Sequence, residues 1–156
     1  MLATGFGIVE SNGRDSLAVR FGAIRARRSE ALPQRLHRID QELEKLVARF
    51  QPDAIAIEQI FQALNVKTAM QLSNVRGIVL LAAARAGLPV SEYSALAVKN
   101  SVVGYGRAEK HQVQQMVQRL LRLPALPEPA DAADALAVAL CHIHNEAGRR
   151  RLARHT

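Results

Sequence analysis

The stretch Asp53-Ala54-Ile55-Ala56-Ile57-Glu58 decides the fold, because it predicts a short strand that ends in a carboxylate. The apolar run from Ala54 to Ile57 is too short for a helix and follows Gln51-Pro52-Asp53, which is typical of a turn. Such a run suits a strand covered on both faces, as in a parallel sheet between helix layers. Glu58 then either emerges into solvent or meets a positive partner, such as a metal ion or a substrate group.

Strands and helices alternate around this stretch. Gly5 and Gly7 lie within an apolar segment and indicate either a strand whose backbone is closely approached by another group or a strand edged by a tight turn. A turn at Ser11-Asn12-Gly13 predicts a returning strand. Apolar spacing and helix-ending residues predict the remaining elements: helices over about 33–50, 66–86, 95–103, 110–121 and from 131 to near Gly148, and a strand over 89–93. This order predicts an α/β domain with a mixed sheet flanked by helices.

Length and composition indicate the number of domains, the kind of binding partner and the cellular compartment. A chain of 156 residues suits one domain, here residues 1–148, followed by a basic tail over 149–156. The 21 Lys and Arg residues against 14 Asp and Glu favour a polyanionic partner, nucleic acid before membrane. The single cysteine, Cys141, excludes an internal disulfide and fits the reducing cytoplasm. No apolar run has membrane-spanning length, and no secretory leader is visible.

Asp131 and Asp134 lie three residues apart at the predicted start of the last helix. Taken alone, they suit helix capping, since an acid in the first turn contributes about 0.3–1 kcal/mol against the helix dipole. With Glu58 across a cleft, the three carboxylates would instead suit divalent cations, and hard oxygen ligands favour Mg²⁺ or Mn²⁺ over Zn²⁺. Two such ions about 4 Å apart can activate water and stabilise the leaving oxygen of a phosphodiester.

Three motifs, in this order, carry a family resemblance: Ala56-Ile57-Glu58-Gln59-Ile60-Phe61, Val102-Val103-Gly104-Tyr105-Gly106-Arg107-Ala108-Glu109-Lys110 and Ala130-Asp131-Ala132-Ala133-Asp134-Ala135-Leu136-Ala137. Together they resemble the RuvC-type crossover-junction (Holliday-junction) endodeoxyribonucleases over nearly the whole chain. The resemblance implies an RNase H-like fold, a homodimer and symmetric nicking of four-way DNA junctions with Mg²⁺, two ions per site. It also implies work in DNA recombination and repair alongside the RuvAB branch-migration complex.

The resemblance also implies residue roles. Glu58, Asp131 and Asp134 would be the catalytic, metal-binding carboxylates. DNA contacts are expected from one aromatic and four basic residues, with stacking by the aromatic: Phe61, Arg76, Lys99, Arg107 and Lys110.

The first strand departs from the family pattern. The family has a further aspartate at the end of its first strand, whereas this sequence has no Asp or Glu before Glu10. We therefore expect the first central strand to be missing, which leaves a gap in the sheet with unpaired backbone groups beside it. A misassigned start codon is the favoured explanation, and a truncated chain is the other.

Three functions remain open at this point. The first is a dimeric, Mg²⁺-dependent junction endonuclease. The second is a catalytically impaired module that binds four-way junctions, because the first-strand aspartate is absent. The third is another RNase H-like nuclease, such as one that acts on ribosomal RNA precursors.

Overall fold

The computed structural model describes residues 3–27, 29–60 and 65–153. Within these ranges four strands and five helices form a single layered arrangement of sheet and helices. Their bounds, in chain order, are β1 Ala3–Ser11, β2 Ser16–Arg25, α1 Leu32–Phe50, β3 Ile55–Glu58, α2 Val66–Ala86, β4 Val90–Tyr93, α3 Ala95–Val103, α4 Lys110–Leu120 and α5 Ala130–Ala153.

The four strands form two separate pairs. Strands β1 and β2 are antiparallel, from Ala3 opposite Arg25 to Ser11 opposite Ser16. Strands β3 and β4 are parallel, and Glu58 lies opposite Tyr93. No ladder joins β1 to β3 within the described residues, so each of these strands has one edge without a strand partner. The predicted gap in the sheet is therefore present.

Helix α5 fixes how the two pairs face each other. Gly5 and Gly7 let β1 lie directly against α5, because a Cβ at Gly5 would overlap the Asp131 carbonyl and one at Gly7 would lie 2.8 Å from Leu136 Cδ2. This confirms the close approach predicted from the glycines. The start of β1 and the end of β3 thus both lie near the first turns of α5, with Asp134 beside Glu58. Strands β1 and β3 therefore run in opposite directions.

The main hydrophobic core lies between α3, α4 and α5. Its centre consists of side chains with less than 2 % exposure, namely Val117, Leu136, Leu140 and Cys141. Alanines on α5 allow the neighbouring helices and β1 to approach closely. Helix α5 therefore packs against both strand pairs and against α3 and α4.

Local sequence explains the helix ends. The Asn65 side chain accepts a hydrogen bond from the Thr68 N–H at the start of α2, and Gly87 ends that helix with a left-handed φ of 67°. The Ser94 hydroxyl accepts from the Ala97 N–H at the start of α3. These ends confirm the bounds predicted for both helices.

Two predictions about structure are wrong. Helix α5 continues past Gly148 to Ala153, because an exposed glycine costs only about 1 kcal/mol in a helix and basic residues near its end complement the dipole. Strand β3 is half-buried rather than covered on both faces, since the groove beside it is open. Among the described residues, no helix is long and apolar enough to cross a membrane.

Candidate active site

The three predicted carboxylates lie along one groove. Glu58 is the last residue of β3, while Asp131 and Asp134 lie in the first turns of α5. All three side chains line the same cavity of about 1070 Å³. The tight packing of Gly5 against the Asp131 backbone holds this end of α5 beside the sheet. The sequence therefore brings a strand end and a helix start, more than 70 residues apart in the chain, to one opening.

Two lysines lie beside two of these carboxylates, Glu58 and Asp134. A second cavity of about 250 Å³ is lined by Glu58, Lys99, Lys110 and Asp134, together with apolar residues of α3, α4 and α5. Lys110 donates from Nζ to Asp134 Oδ2 over 2.9 Å. Its side chain is 60 % exposed, so this ion pair contributes at most about 1 kcal/mol and can be exchanged for another anion.

The pKa of Glu58 is raised above the ordinary glutamate value of 4.5. Burial against the cleft walls is the largest cause, and repulsion from Asp134 is the next. Lys110 and Lys99 act in the opposite direction and lower the pKa. The cleft therefore holds negative charge that its own lysines only partly offset, and a bound cation would relieve it.

The donor chemistry of the cleft suits a hard divalent cation. No group of three His, Cys, Asp or Glu side chains within the described ranges is close enough to enclose a metal ion by itself. Mg²⁺ does not require such an enclosure, because it keeps several waters and is often held by one or two carboxylates plus substrate phosphates. Glu58 and Asp134 meet this requirement across the cleft, and Asp131 lies on the same groove.

The other predicted DNA contacts lie in different settings. Arg76 is part-buried on α2 and donates from Nε to Glu92 Oε2 of β4 over 3.1 Å, so its charge is already paired. Arg107 is exposed in the turn between α3 and α4, two residues from Glu109 and three from Lys110. Phe61 lies outside the described residues.

Sequence reasoning missed one polar pair on the groove wall. The Tyr93 hydroxyl and His142 Nδ1 are 2.9 Å apart and join the end of β4 to α5. His142 also lines the large groove. No local pattern could have revealed the pair, because it depends on how β4 and α5 meet in three dimensions.

Comparisons with known proteins were made for both sequence and structure. The family model described as "Crossover junction endodeoxyribonuclease RuvC" matches residues 1–142. A relative of that name from Koribacter versatilis is 50% identical over 150 residues, which cover 96% of this chain and 90% of the relative. Another from Shewanella amazonensis is 51% identical over 141 residues, 90% of this chain and 80% of that protein.

Solved structures agree with the sequence matches. The structure described as "T. thermophilus RuvC in complex with Holliday junction substrate" superposes with a TM-score of 0.88 at 33% identity. The match covers 92% of this chain and 87% of that one. "Thermus thermophilus RuvC structure" gives a TM-score of 0.83 over 91% of this chain. These matches confirm the predicted fold class.

Proposed function

This chain belongs to the RuvC family, and from that premise we propose that it is an endodeoxyribonuclease that nicks four-way DNA junctions. The single observation that carries the proposal is the meeting of Glu58, Asp131 and Asp134 along one groove, with Lys99 and Lys110 beside two of them. Carboxylates and lysines placed together suit the hydrolysis of a phosphodiester, because the carboxylates can bind a cation and the lysines can bind the phosphate.

Glu58, Asp131 and Asp134 would hold the divalent cation, which we propose to be Mg²⁺, with Mn²⁺ as a substitute and two ions per site. When bound, such ions supply an activated water and stabilise charge on the leaving oxygen of a phosphodiester. The raised pKa of Glu58 supports this assignment, since burial and the nearby Asp134 disfavour the ionised carboxylate and a bound cation would favour it. Catalytic roles for all three carboxylates follow from the same proposal.

Lys99 and Lys110 would bind the phosphate at the scissile bond. Lys110 is placed to leave Asp134 and donate to a phosphate oxygen, because its present ion pair is exposed and weak. Lys99 lines the smaller cavity next to Glu58. Both lysines would therefore position the DNA backbone and favour the negative transition state without reading its sequence.

Three further residues would contact DNA at a greater distance from the carboxylates. Arg107 is exposed beside the lysine-bearing turn and suits a neighbouring phosphate. Arg76 would have to leave Glu92 before it could bind DNA. Phe61 follows β3 in the sequence and keeps its proposed stacking role near the junction centre.

Symmetric nicking of two strands requires two sites of matched orientation, which a two-fold homodimer provides. Helix α2 supports this proposal, because its described residues include exposed apolar side chains: Val66 at 75 %, Met70 at 64 % and Leu81 at 45 %. Association with RuvAB and action on DNA in the cytoplasm belong to the same proposal. The alternative of a junction-binding module without catalysis is not favoured, since the relatives carry the name of an endodeoxyribonuclease.

A substrate panel tests the proposal. Four-way DNA, linear duplex DNA and structured RNA of equal length are incubated with the chain in Mg²⁺, and cleavage products are resolved on a denaturing gel. We expect paired nicks in the four-way DNA and little cleavage of the other two, while Asp131→Asn abolishes nicking but still binds the junction. Preferential cleavage of RNA would instead favour the ribosomal RNA alternative.

A further inference from the structure

Strand β2 ends in an arginine whose charge is not paired. Arg25 is exposed, and its side chain has no ion pair or hydrogen bond within the part of the chain that the structure describes. The arginines that follow it differ in this respect. Arg38 pairs with Glu30, and the Glu30 carboxylate also accepts a hydrogen bond from the Arg27 backbone N–H. Arg25 is therefore available to an anion that comes from outside the chain.

The register of β1 and β2 places Arg25 at the same end of the sheet as the carboxylates. Arg25 lies opposite Ala3, which lines the carboxylate groove. Side chains alternate between the two faces of a strand, and residues directly opposite each other share a face. Arg25 therefore projects from the face on which Gly5 contacts the Asp131 backbone. The spacings of an antiparallel pair put the Cα atoms of Arg25 and Gly5 about 8 Å apart.

Arg25 and the two lysines flank the carboxylates from opposite sides. One edge of β1 pairs with β2, while its other edge faces the groove, whose far side is β3. Lys99 and Lys110 lie beside Glu58, at the end of β3. The start of α5, with Asp131, lies against β1 and so between these lysines and β2. A polyanion that crosses the carboxylates from the lysines toward β1 therefore meets Arg25 next.

We propose that Arg25 binds a backbone phosphate of the four-way junction, on the opposite side of the scissile bond from the lysines. This inference rests on the proposed function, because it adds a contact to the same DNA. A guanidinium suits a phosphate, since its planar N–H groups can donate to two oxygens at once. The contact reads no base. It fixes the direction in which the DNA backbone crosses the carboxylates.

Neutral phosphates in the DNA, combined with substitutions in the protein, test this contact. Each junction of a series carries one methylphosphonate in place of a backbone phosphate, at successive positions on both sides of the scissile bond. Binding is measured by fluorescence anisotropy at several salt concentrations, without divalent ions so that no strand is cut. The wild-type chain is compared with Arg25→Ala, Arg25→Lys and Lys99→Ala.

Arg20→Ala is the matched control. Arg20 is also exposed on β2 and has no ion pair or side-chain hydrogen bond among the described residues. It lies opposite Ile8, toward the far end of the strand and on the other face from Arg25. The control therefore removes the same charge from the same strand at a position away from the carboxylates.

We expect Arg25→Ala to weaken junction binding about tenfold, or about 1.4 kcal/mol, and to lower the slope of log affinity against log salt by about 0.9. Arg25→Lys should keep the slope, because it keeps the charge, and bind with intermediate affinity. One methylphosphonate should weaken binding by the wild type but not by Arg25→Ala. The methylphosphonate that couples to Lys99 should lie on the other side of the scissile bond. Arg20→Ala should behave as the wild type throughout.

The coupling is read by comparing DNAs on one variant, so a change in the stability of that variant does not produce it. An unchanged salt slope for Arg25→Ala, or a loss of affinity that couples to no single phosphate, would overturn the proposal. Unchanged DNA binding would instead leave an acidic protein surface as the partner of Arg25. Failure of the proposed function has a different result, because the wild type would then bind four-way DNA no better than linear duplex, and both proposals would fall.

Discussion

Replacing Gly5 by alanine tests the packing that carries Asp131 to the site. A Cβ at this position would overlap the backbone carbonyl of Asp131, which cannot rotate away as the end of a side chain can. An extra methyl group in a closely packed contact costs about 1–3 kcal/mol. Because the overlap at Gly5 is with backbone, the cost for Gly5→Ala lies at the upper end, about 3 kcal/mol. The lower chain entropy of alanine offsets about 0.5–1 kcal/mol of this cost.

The expected net loss for Gly5→Ala is therefore about 2 kcal/mol in the free energy of unfolding. For a chain of this size, that loss corresponds to a Tm lower by about 4–8 °C. Gly148→Ala is the matched control, because a Cβ there has nothing within 4 Å and the residue lies inside α5. The same chemical change at Gly148 should raise stability by about 1 kcal/mol.

Urea and thermal denaturation followed by far-ultraviolet circular dichroism measure both variants against the wild-type chain. The two substitutions should change the free energy of unfolding with opposite signs. A Gly5→Ala variant as stable as the wild type would show that β1 does not lie against the first turn of α5. Contact with β1 would then not be what holds Asp131 at the groove.

Two further predictions concern the charges of the cleft. Because the folded-state pKa of Glu58 is raised above 4.5, its ionised form opposes folding, and stability is lost as pH rises from 4.5 through the raised pKa. In the absence of divalent ions, Glu58→Gln should therefore become more stable relative to wild type as pH rises through that window. A difference in unfolding free energy that does not vary with pH would contradict the raised pKa of Glu58. Lys99→Ala should lower the slope of log affinity against log salt for a four-way junction by about 1, measured by fluorescence anisotropy. Lys45 is exposed and paired with Glu42 on α1, so Lys45→Ala should leave the slope unchanged. Equal slopes for the two variants would show that Lys99 does not contact the DNA.

Much of the fold follows from local sequence signals. The bounds of α2 were predictable because Asn65 can cap its start and Gly87 can adopt the left-handed conformation at its end. Strand β3 was predictable because a short apolar run after Pro52 leaves few other conformations. The end of α5 was not, since Gly148 weakens a helix without breaking it and neighbouring charges decide whether the helix continues.

The candidate site was predictable only as a set of residue types. Glu58 and Asp134 were expected to meet, and the repulsion by which Asp134 raises the pKa of Glu58 agrees with that expectation. The pairing of Lys110 with Asp134 and of Arg76 with Glu92 depends on the packing of separate elements. Contacts of this kind have no periodic signal in the sequence, so the structure was needed to distinguish a free basic residue from a paired one.

The central claim is that Asp134 serves chemistry at the groove rather than the folding or DNA binding of the chain. The most direct measurement compares wild type with Asp134→Asn for nicking of a four-way DNA junction in Mg²⁺, with junction affinity determined on the same samples. We predict that nicking falls by more than about 100-fold, because loss of a group that only orients a metal ligand already costs about 10–100-fold and Asp134 would hold the cation directly. Affinity should stay equal or increase, because Lys110 is released and a negative charge is removed. Nicking at the wild-type rate, or a parallel loss of nicking and binding, would contradict the claim.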